Sequence, residues 1–310
     1  MLYQILHIIL GLGLFLFGIE YMSQGIQAFS QKRVKQIIEN YVSSPIKGIV
    51  IGTLTTAVIQ SSSAITSLVI TLIKANTMTL NQAVGIIVGA NIGTTMTAFI
   101  VSLQIENLSI YFMIIGSFLI FISKFPKISL IGQICFGFGC LFYGLEIMNL
   151  YLAPLAHTSF FHEIILILSK NPIYALTGGI FLTCIIQSSS VMIAIIQQLG
   201  QLKMISLVNA IAFLLGSNIG TTITATLAAL GDCKEAKQAA FFHFIFNAGG
   251  VLIFALFLYP FSLWMSQIKM HYHLSYSMTI ALSHFFFNII STIVIIPFIN
   301  KISYWIEKLK

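Results

Sequence analysis

Polar residues along this chain come in short clusters, and between them run apolar stretches long enough to be read as membrane-crossing helices. A hydrocarbon core of roughly 30 Å takes about 20 such residues. On that measure residues 4–29, 79–103, 109–124, 128–152, 206–230, 237–259 and 276–300 predict seven full spans. Two stretches read differently. Residues 45–59 and 64–74 lie either side of Gln60-Ser61-Ser62-Ser63, and at 1.5 Å per residue they would form helices of about 22 Å and 16 Å. Each arm is too short to cross but long enough to enter and return, so 45–74 predicts a re-entrant hairpin with its tip near mid-membrane. Residues 172–200 repeat the arrangement around Gln187-Ser188-Ser189-Ser190, with Gly200 and Lys203 closing the returning arm.

The recurrence is an internal duplication. GLGLFLFGIEYM (Gly11 to Met22) answers GFGCLFYGLEIM (Gly137 to Met148) with 5 of 12 residues identical. PIKGIVIGTLTTAVIQSSS (Pro45 to Ser63) answers PIYALTGGIFLTCIIQSSS (Pro172 to Ser190) with 9 of 19, and residues 85–98 answer 212–225 with 8 of 14. The offset holds at 126 or 127 residues throughout, and much of the match is Gln, Ser, Asn and Thr, which convergence by apolar composition does not produce. The reading is an all-α polytopic membrane protein of two repeats, 1–127 and 128–260, followed by a loop, a final span and a short tail over 261–310. Three spans separate corresponding points of the two copies, and an odd number turns the second copy over relative to the first, a plan common among secondary transporters.

Composition narrows the class. Of 310 residues 58% are hydrophobic and 7% charged, against about 25% charged in an ordinary soluble domain. The stretch from Leu2 to Phe29 is too long for a signal-peptide core and has no basic leader, so it reads as a retained span. Cys135, Cys140, Cys184 and Cys233 show no metal-ligand spacing and are assigned to packing. The formal charge of +7 is dispersed among short loops rather than gathered into a patch, which speaks against nucleic acid as partner. Those charges report orientation instead. With seven spans, one face collects Lys32, Arg33, Lys35, Lys47, Lys74, Lys124, Lys127, Lys234, Lys237, Lys301, Lys308 and Lys310, and the other Lys170, Lys203 and Lys269. Twelve against three predicts an N-terminus outside and a C-terminus in the cytoplasm, in the inner (cytoplasmic) membrane.

The polar motifs carry the candidate chemistry. At each tip the returning helix is predicted to start on serines. A helix start exposes unpaired amide hydrogens and the positive end of the helix dipole, a ready anion site. Serine hydroxyls both donate and accept, so Gln60, Ser61, Ser62 and Ser63 with Gln187, Ser188, Ser189 and Ser190 could serve an anion on one side and a hard cation on the other. GANIGTT (Gly89 to Thr95) and GSNIGTT (Gly216 to Thr222) place two glycines and an asparagine inside apolar spans, and the reading is a broken helix in each. Such a break would free carbonyls for a cation beside Asn91, Thr94, Thr95, Asn218, Thr221 and Thr222; the alternative is a glycine notch for close helix packing. Glu20 and Glu146 occupy equivalent places in the first spans of the copies, where a bare charge is costly, so a coupling role and a structural hydrogen bond are both open. His243 with Asn247, and His284 with Asn288, share the pattern HxxxN on one helix face; interhelical hydrogen bonding is preferred over a proton or substrate role.

The doubled QSSS, each followed by a GANIGTT or GSNIGTT block, and the stretches AFFHFIFN and ALSHFFFN resemble the sodium/phosphate cotransporter family, over nearly the whole chain. The resemblance implies sodium-coupled phosphate transport by alternating access, not enzymatic catalysis, with the two tips and the Asn-Ile-Gly-Thr segments lining the site. It places sodium, the coupling ion, at Ser61, Ser62, Asn91, Ser188, Ser189 and Asn218, and implies no organic cofactor. The partners are then inorganic phosphate, sodium and the lipid bilayer, with a homodimer left open. Some bacterial members continue into a cytoplasmic helical domain, which is not expected here because the sequence reaches Lys310 soon after its last span. Carriage of another small anion and a passive anion channel are the alternatives on the same scaffold. An intramembrane serine hydrolase using His243 or His284 is disfavoured, because hydrolysis needs one activated nucleophile rather than a duplicated tip.

Overall fold

The structure is a computed structural model that describes residues 2–103, 105, 108–122, 124–156, 158, 163, 171–231 and 233–308. Lys170 and Lys310, which entered the charge count, lie outside the described residues. The described chain is helical: α1 (Leu2–Tyr41), α2 (Pro45–Ile59), α3 (Ser62–Lys74), α4 (Leu80–Ser102), α5 (Ser109–Ile122), α6 (Pro126–Ala156), α7 (Pro172–Ile186), α8 (Ser189–Gln201), α9 (Leu207–Ala229), α10 (Lys234–Leu256), α11 (Leu258–His271), α12 (Tyr276–Ile295), a 3-10 turn at Ile296–Phe298, and α13 (Ile299–Glu307).

Two compact units divide it. The first comprises Met1–Gln31, Leu103–Ile167 and Gln201–Met204, and holds most of α1 together with α5 and α6. Glycines set the contact between α1 and α6. A methyl added at Gly18 would lie 2.3 Å from the Leu141 nitrogen, and one at Gly144 would lie 2.5 Å from the Phe15 nitrogen. The repeated GxG…G segments therefore pair with each other, because no side chain stands between the two backbones.

Lys32–Ser102, Leu168–Gly200 and Ile205–Lys310 form the second unit, which contains both QSSS turns, both NIGTT helices and both HxxxN segments. Its arms start alike. Ser44 caps α2 by accepting from Lys47 N at 3.4 Å, Asn171 caps α7 by accepting from Ile173 N at 2.9 Å, and a proline follows each cap where its missing N–H costs nothing. Gly85, Gly89 and Gly93, one turn apart on α4, face the backbone of α2: added methyls would lie 2.2, 2.1 and 2.6 Å from the carbonyl oxygens of Pro45, Ile49 and Thr53. Gly216 and Gly220 of α9 meet Leu176 and Ile180 of α7 in the same way, at 2.0 and 2.7 Å. Ile65, Val69 and Leu72 of α3 bury against Val34 and Ile38 of α1 and Ile86 of α4, while Val84 and Val88 pack with Ala236, Ala239 and Phe242 of α10.

Four expectations change. Six helices, not seven, are long and apolar enough to cross a membrane among the described residues; the span expected over 109–124 is Ser109–Ile122, 14 residues, about 21 Å of helix. The breaks expected at GANIGTT and GSNIGTT are absent: α4 and α9 each run 23 residues without interruption. A glycine costs a helix about 1 kcal/mol, and the close backbone contact it permits, with every backbone group paired inside the helix as an apolar surround demands, offsets that cost. The glycines are packing notches. The segment after residue 29 stays helical to Tyr41, with Lys35 and Glu39 paired at 3.8 Å. Residues assigned to a loop after 260 form α11, whose Leu258, Phe261, Ser262 and Met265 are buried at helical spacing.

Candidate functional site

Each QSSS segment is a tight turn between two helices too short to cross a membrane. Its glutamine is left-handed in both copies, at φ 60°, ψ 24° for Gln60 and φ 59°, ψ 21° for Gln187. The Gln60 amide donates to the Thr56 carbonyl at 2.8 Å and the Gln187 amide to the Thr183 carbonyl at 2.7 Å, closing α2 and α7. The serine that follows turns the chain into the return helix. Ser61 Oγ accepts from Ala64 N at 3.2 Å, and Ser188 Oγ accepts from Val191 N at 3.4 Å. In consequence α3 and α8 begin on Ser62-Ser63 and Ser189-Ser190, with first-turn amides that have no intrahelical acceptor. Ser61, Ser62, Ser188 and Ser190 are half-buried, Ser63 is exposed and Ser189 buried.

The NIGTT side chains bond mostly to their own helices. Thr94 donates to Ala90 O at 2.8 Å, Thr95 to Ile92 O at 2.7 Å, Thr221 to Ser217 O at 2.7 Å and Thr222 to Ile219 O at 2.7 Å. The helices being intact, their carbonyls are not freed for a cation as expected; hydroxyl oxygens keep lone pairs that can still accept. Asn91 and Asn218 donate through Nδ2 to Ile87 O and Leu214 O, each at 2.8 Å. Their Oδ1 atoms therefore face outward, and a histidine meets each: His243 Nε2 donates to Asn91 Oδ1 at 3.4 Å and His284 Nε2 to Asn218 Oδ1 at 3.2 Å. Within HxxxN the asparagine amide donates to backbone rather than to the imidazole. Asn247 and Asn288 donate back to the backbone carbonyls of His243 and His284, both at 2.9 Å.

Several buried acceptors are left over, in matched pairs. His243 Nδ1 and His284 Nδ1, Asn247 Oδ1 and Asn288 Oδ1, and Thr56 Oγ1 and Thr183 Oγ1 have no hydrogen-bond partner among the described residues. Thr56 and Thr183 sit one turn before the tip glutamines and escaped the sequence reading; the offset of 127 that aligns the tips also aligns them. Thr97, which donates to Gln60 Oε1 at 2.8 Å, was likewise not singled out. Nor was Gln197, fully buried on α8, which donates to Ala98 O at 3.0 Å and Ser277 O at 2.9 Å.

Glu20 and Glu146 belong to the first unit. Glu146 accepts from the buried Ser109 hydroxyl at 2.8 Å, and Glu20 from Gln24 Nε2 at 2.9 Å. Among the described residues no cluster of three His, Cys, Asp or Glu could hold a metal. The polar side chains described above in the second unit are instead amides, hydroxyls and imidazoles, which offer dipoles and lone pairs.

The chain is 30% identical to an uncharacterised Bacillus subtilis protein, YqeW, over 244 residues, 79% of each chain. It is 24% identical over 287 residues to the YjbB protein of Salmonella typhimurium, provisionally named for inorganic phosphate export; that match covers 90% of this chain and 53% of YjbB, so the chain spans about half its relative's length. Over 92 residues it is 39% identical to the human sodium-dependent phosphate transport protein 2B, covering 29% of this chain and 13% of that protein. No solved structure matches. The Na+/Pi-cotransporter family profile matches residues 14–150 and 153–293, and with both QSSS turns and both NIGTT helices inside that match the chain belongs to the Na+/Pi-cotransporter family, a family of transporters rather than enzymes.

Proposed function

We propose that this protein moves inorganic phosphate across the cytoplasmic membrane coupled to sodium, with phosphate held between the two QSSS tips and the halves related as inverted repeats. The observation that carries the reading is the matched pair of tips: left-handed Gln60 and Gln187, each followed by a serine-capped helix start. Two helix starts offer amide hydrogens and positive dipole ends to an anion. No Lys or Arg lies at either tip, so a doubly charged anion there calls for a co-bound cation to offset its charge in a low-dielectric surround. Hydroxyl oxygens of Ser61, Ser62, Ser188 and Ser189 and the amide oxygens of Asn91 and Asn218 are the donors proposed for sodium. Family membership and the human relative's name support sodium and phosphate; YjbB's name supports phosphate moving outward.

Radiolabelled phosphate flux in proteoliposomes tests this. Uptake driven by an inward sodium gradient, abolished when potassium replaces sodium and untouched by excess sulfate, is the expected result. Reversing the gradient should reverse the flux. Phosphate flux indifferent to sodium would remove the coupling, and sulfate competition would change the cargo.

A further inference from the structure

Lys237 and Phe241 lie one turn apart on the same face of α10, and Phe241 lines two cavities. The first, of about 560 Å³, is walled by Ile180 and Cys184 of α7, Thr222 and Thr226 of α9 and Phe244 of α10; Lys237 is its one charged lining residue among those described. The second, of about 510 Å³, is walled by Phe298 and by Ile302, Trp305 and Ile306 of α13; there the one charged lining residue is Lys301. Two apolar grooves thus share one aromatic wall, and each carries a single cation.

We propose that this double groove binds one diacyl phospholipid with an anionic headgroup. One acyl chain fills each cavity, Phe241 separates the two chains, and Lys237 and Lys301 hold the headgroup phosphate from both sides. The surface of α13 fits the depth such a headgroup occupies. Its Tyr304 and Trp305 are exposed at 56% and 71% while Ile299, Ser303 and Ile306 are buried, and Lys308 Nζ lies 4.3 Å over the Tyr304 ring. An amphipathic helix carrying Trp, Tyr and Lys on its open face is the composition of the membrane interface. The nearby carboxylates do not oppose the headgroup: Glu235 and Glu307 line a separate polar cavity of about 490 Å³ with Lys234 and Gln238. There Gln238 Nε2 donates to the Ile306 carbonyl at 2.9 Å and fixes α13 against α10. Basic pockets between membrane helices select anionic headgroups by charge. Acyl chains alone would select nothing.

The test counts retained lipid on the purified full chain by native mass spectrometry, with dioleoyl phosphatidylglycerol, dioleoyl phosphatidylcholine, lyso-phosphatidylglycerol and inorganic phosphate as separate titrants. Phosphatidylglycerol should be retained in one copy, well ahead of phosphatidylcholine and of the single-chain lipid, and inorganic phosphate should not displace it. A K237Q/K301Q variant should weaken phosphatidylglycerol retention by about 30-fold, the effect of two surface lysines, whereas Lys234→Gln, which lies outside both grooves, should not. Equal retention of the two diacyl lipids by the unaltered protein overturns the proposal without any variant having to fold. So does displacement by free phosphate, which would mark a plain anion site, or retention in the lysine variant that matches the parent. Since lipid binding is read without transport, none of these outcomes depends on the transport reading.

Discussion

Thr97 Oγ1 donates to Gln60 Oε1 at 2.8 Å, and Gln60 Nε2 in turn donates to the Ala57 carbonyl, so one of the two tip glutamines is tied at both ends. Its counterpart is not. Thr224, the residue equivalent to Thr97, donates to Thr221 O at 2.8 Å within its own helix, and Gln187 is exposed with no side-chain hydrogen bond among the described residues. Two turns of nearly identical backbone therefore present different chemistry to a ligand. If Gln60 must release Thr97 to reach phosphate, removing the hydroxyl removes a net cost of about 1 kcal/mol. Thr97→Val should then lower the phosphate concentration for half-maximal uptake by about fivefold, while Thr224→Val leaves it in place. Saturation curves in proteoliposomes decide, and a weaker apparent affinity for Thr97→Val would show that the bond holds Gln60 in its working position instead.

The same asymmetry ranks the glutamines. Gln187 is already presented, so Gln187→Ala should raise half-saturation more than Gln60→Ala does. Gln60→Ala also leaves the Thr97 hydroxyl without its acceptor, so its thermal midpoint in detergent should fall while that of Gln187→Ala holds. Equal effects on both readouts would make the tips equivalent in solution.

The sequence disclosed the tips because polar identity recurred at a fixed offset, and Gln60 and Gln187 duly share one backbone conformation. It disclosed the outgoing arm's 15 residues because a short apolar run has a definite helical length, but the returning arm, read as 64–74, starts two residues earlier on Ser62 and has 13. It misled at Gly89 and Gly216 because helix propensity counts what a glycine costs its own helix and is blind to the carbonyl of Ile49 or Leu176 that only a glycine lets approach. The His243–Asn91 and His284–Asn218 pairs were hidden for a related reason. HxxxN is visible as a local pattern, but each histidine's partner lies 152 or 66 residues away, and nothing local selects it. Residues 261–271 read as loop since Ser, Gln, Lys and His dilute the apolar signal, although the buried positions of the helix fall on one face.

Those histidine pairs bear on the cation. Asn218 commits its amide nitrogen to Leu214 O, so Oδ1 is the atom a cation would use, and His284 Nε2–H already occupies it; Asn91 and His243 stand in the same relation. Among the described residues neither imidazole has a hydrogen-bond partner on Nδ1, so a single bond holds each ring to this network. A sodium that took the lone pair now held by the imidazole N–H would have to displace the histidine. His284→Phe and His243→Phe, which keep a buried ring and delete the donor, should therefore lower the sodium concentration for half-maximal uptake about fivefold, the factor for one net hydrogen bond. Maximal phosphate flux at saturating sodium should change little. Sodium dependence unchanged in both variants would assign the amide oxygens to helix packing alone.

The glycine contacts predict a sharp division among residues of one type. Gly89 and Gly216 would place a methyl 2.1 and 2.0 Å from a carbonyl oxygen on the facing helix, and no side-chain movement relieves a clash with backbone. Gly89→Ala and Gly216→Ala should therefore separate α4 from α2 and α9 from α7, losing folded protein in detergent by size-exclusion profile. Among the described residues Gly13 of α1 and Gly249 of α10 have nothing within 4 Å of an added methyl. There alanine should raise the thermal midpoint slightly, since alanine is favoured over glycine in a helix interior by about 1 kcal/mol. The contrast separates two explanations of the glycine-rich motifs. If they served a break in the helix, alanine at Gly89 or Gly216 would strengthen that helix and the protein would remain folded; if they serve backbone-to-backbone contact, the propensity gain is overwhelmed by overlap with the Ile49 and Leu176 carbonyls. Unbroken α4 and α9 place the weight on contact, and a well-folded Gly216→Ala protein with an intact size-exclusion peak would reverse that conclusion.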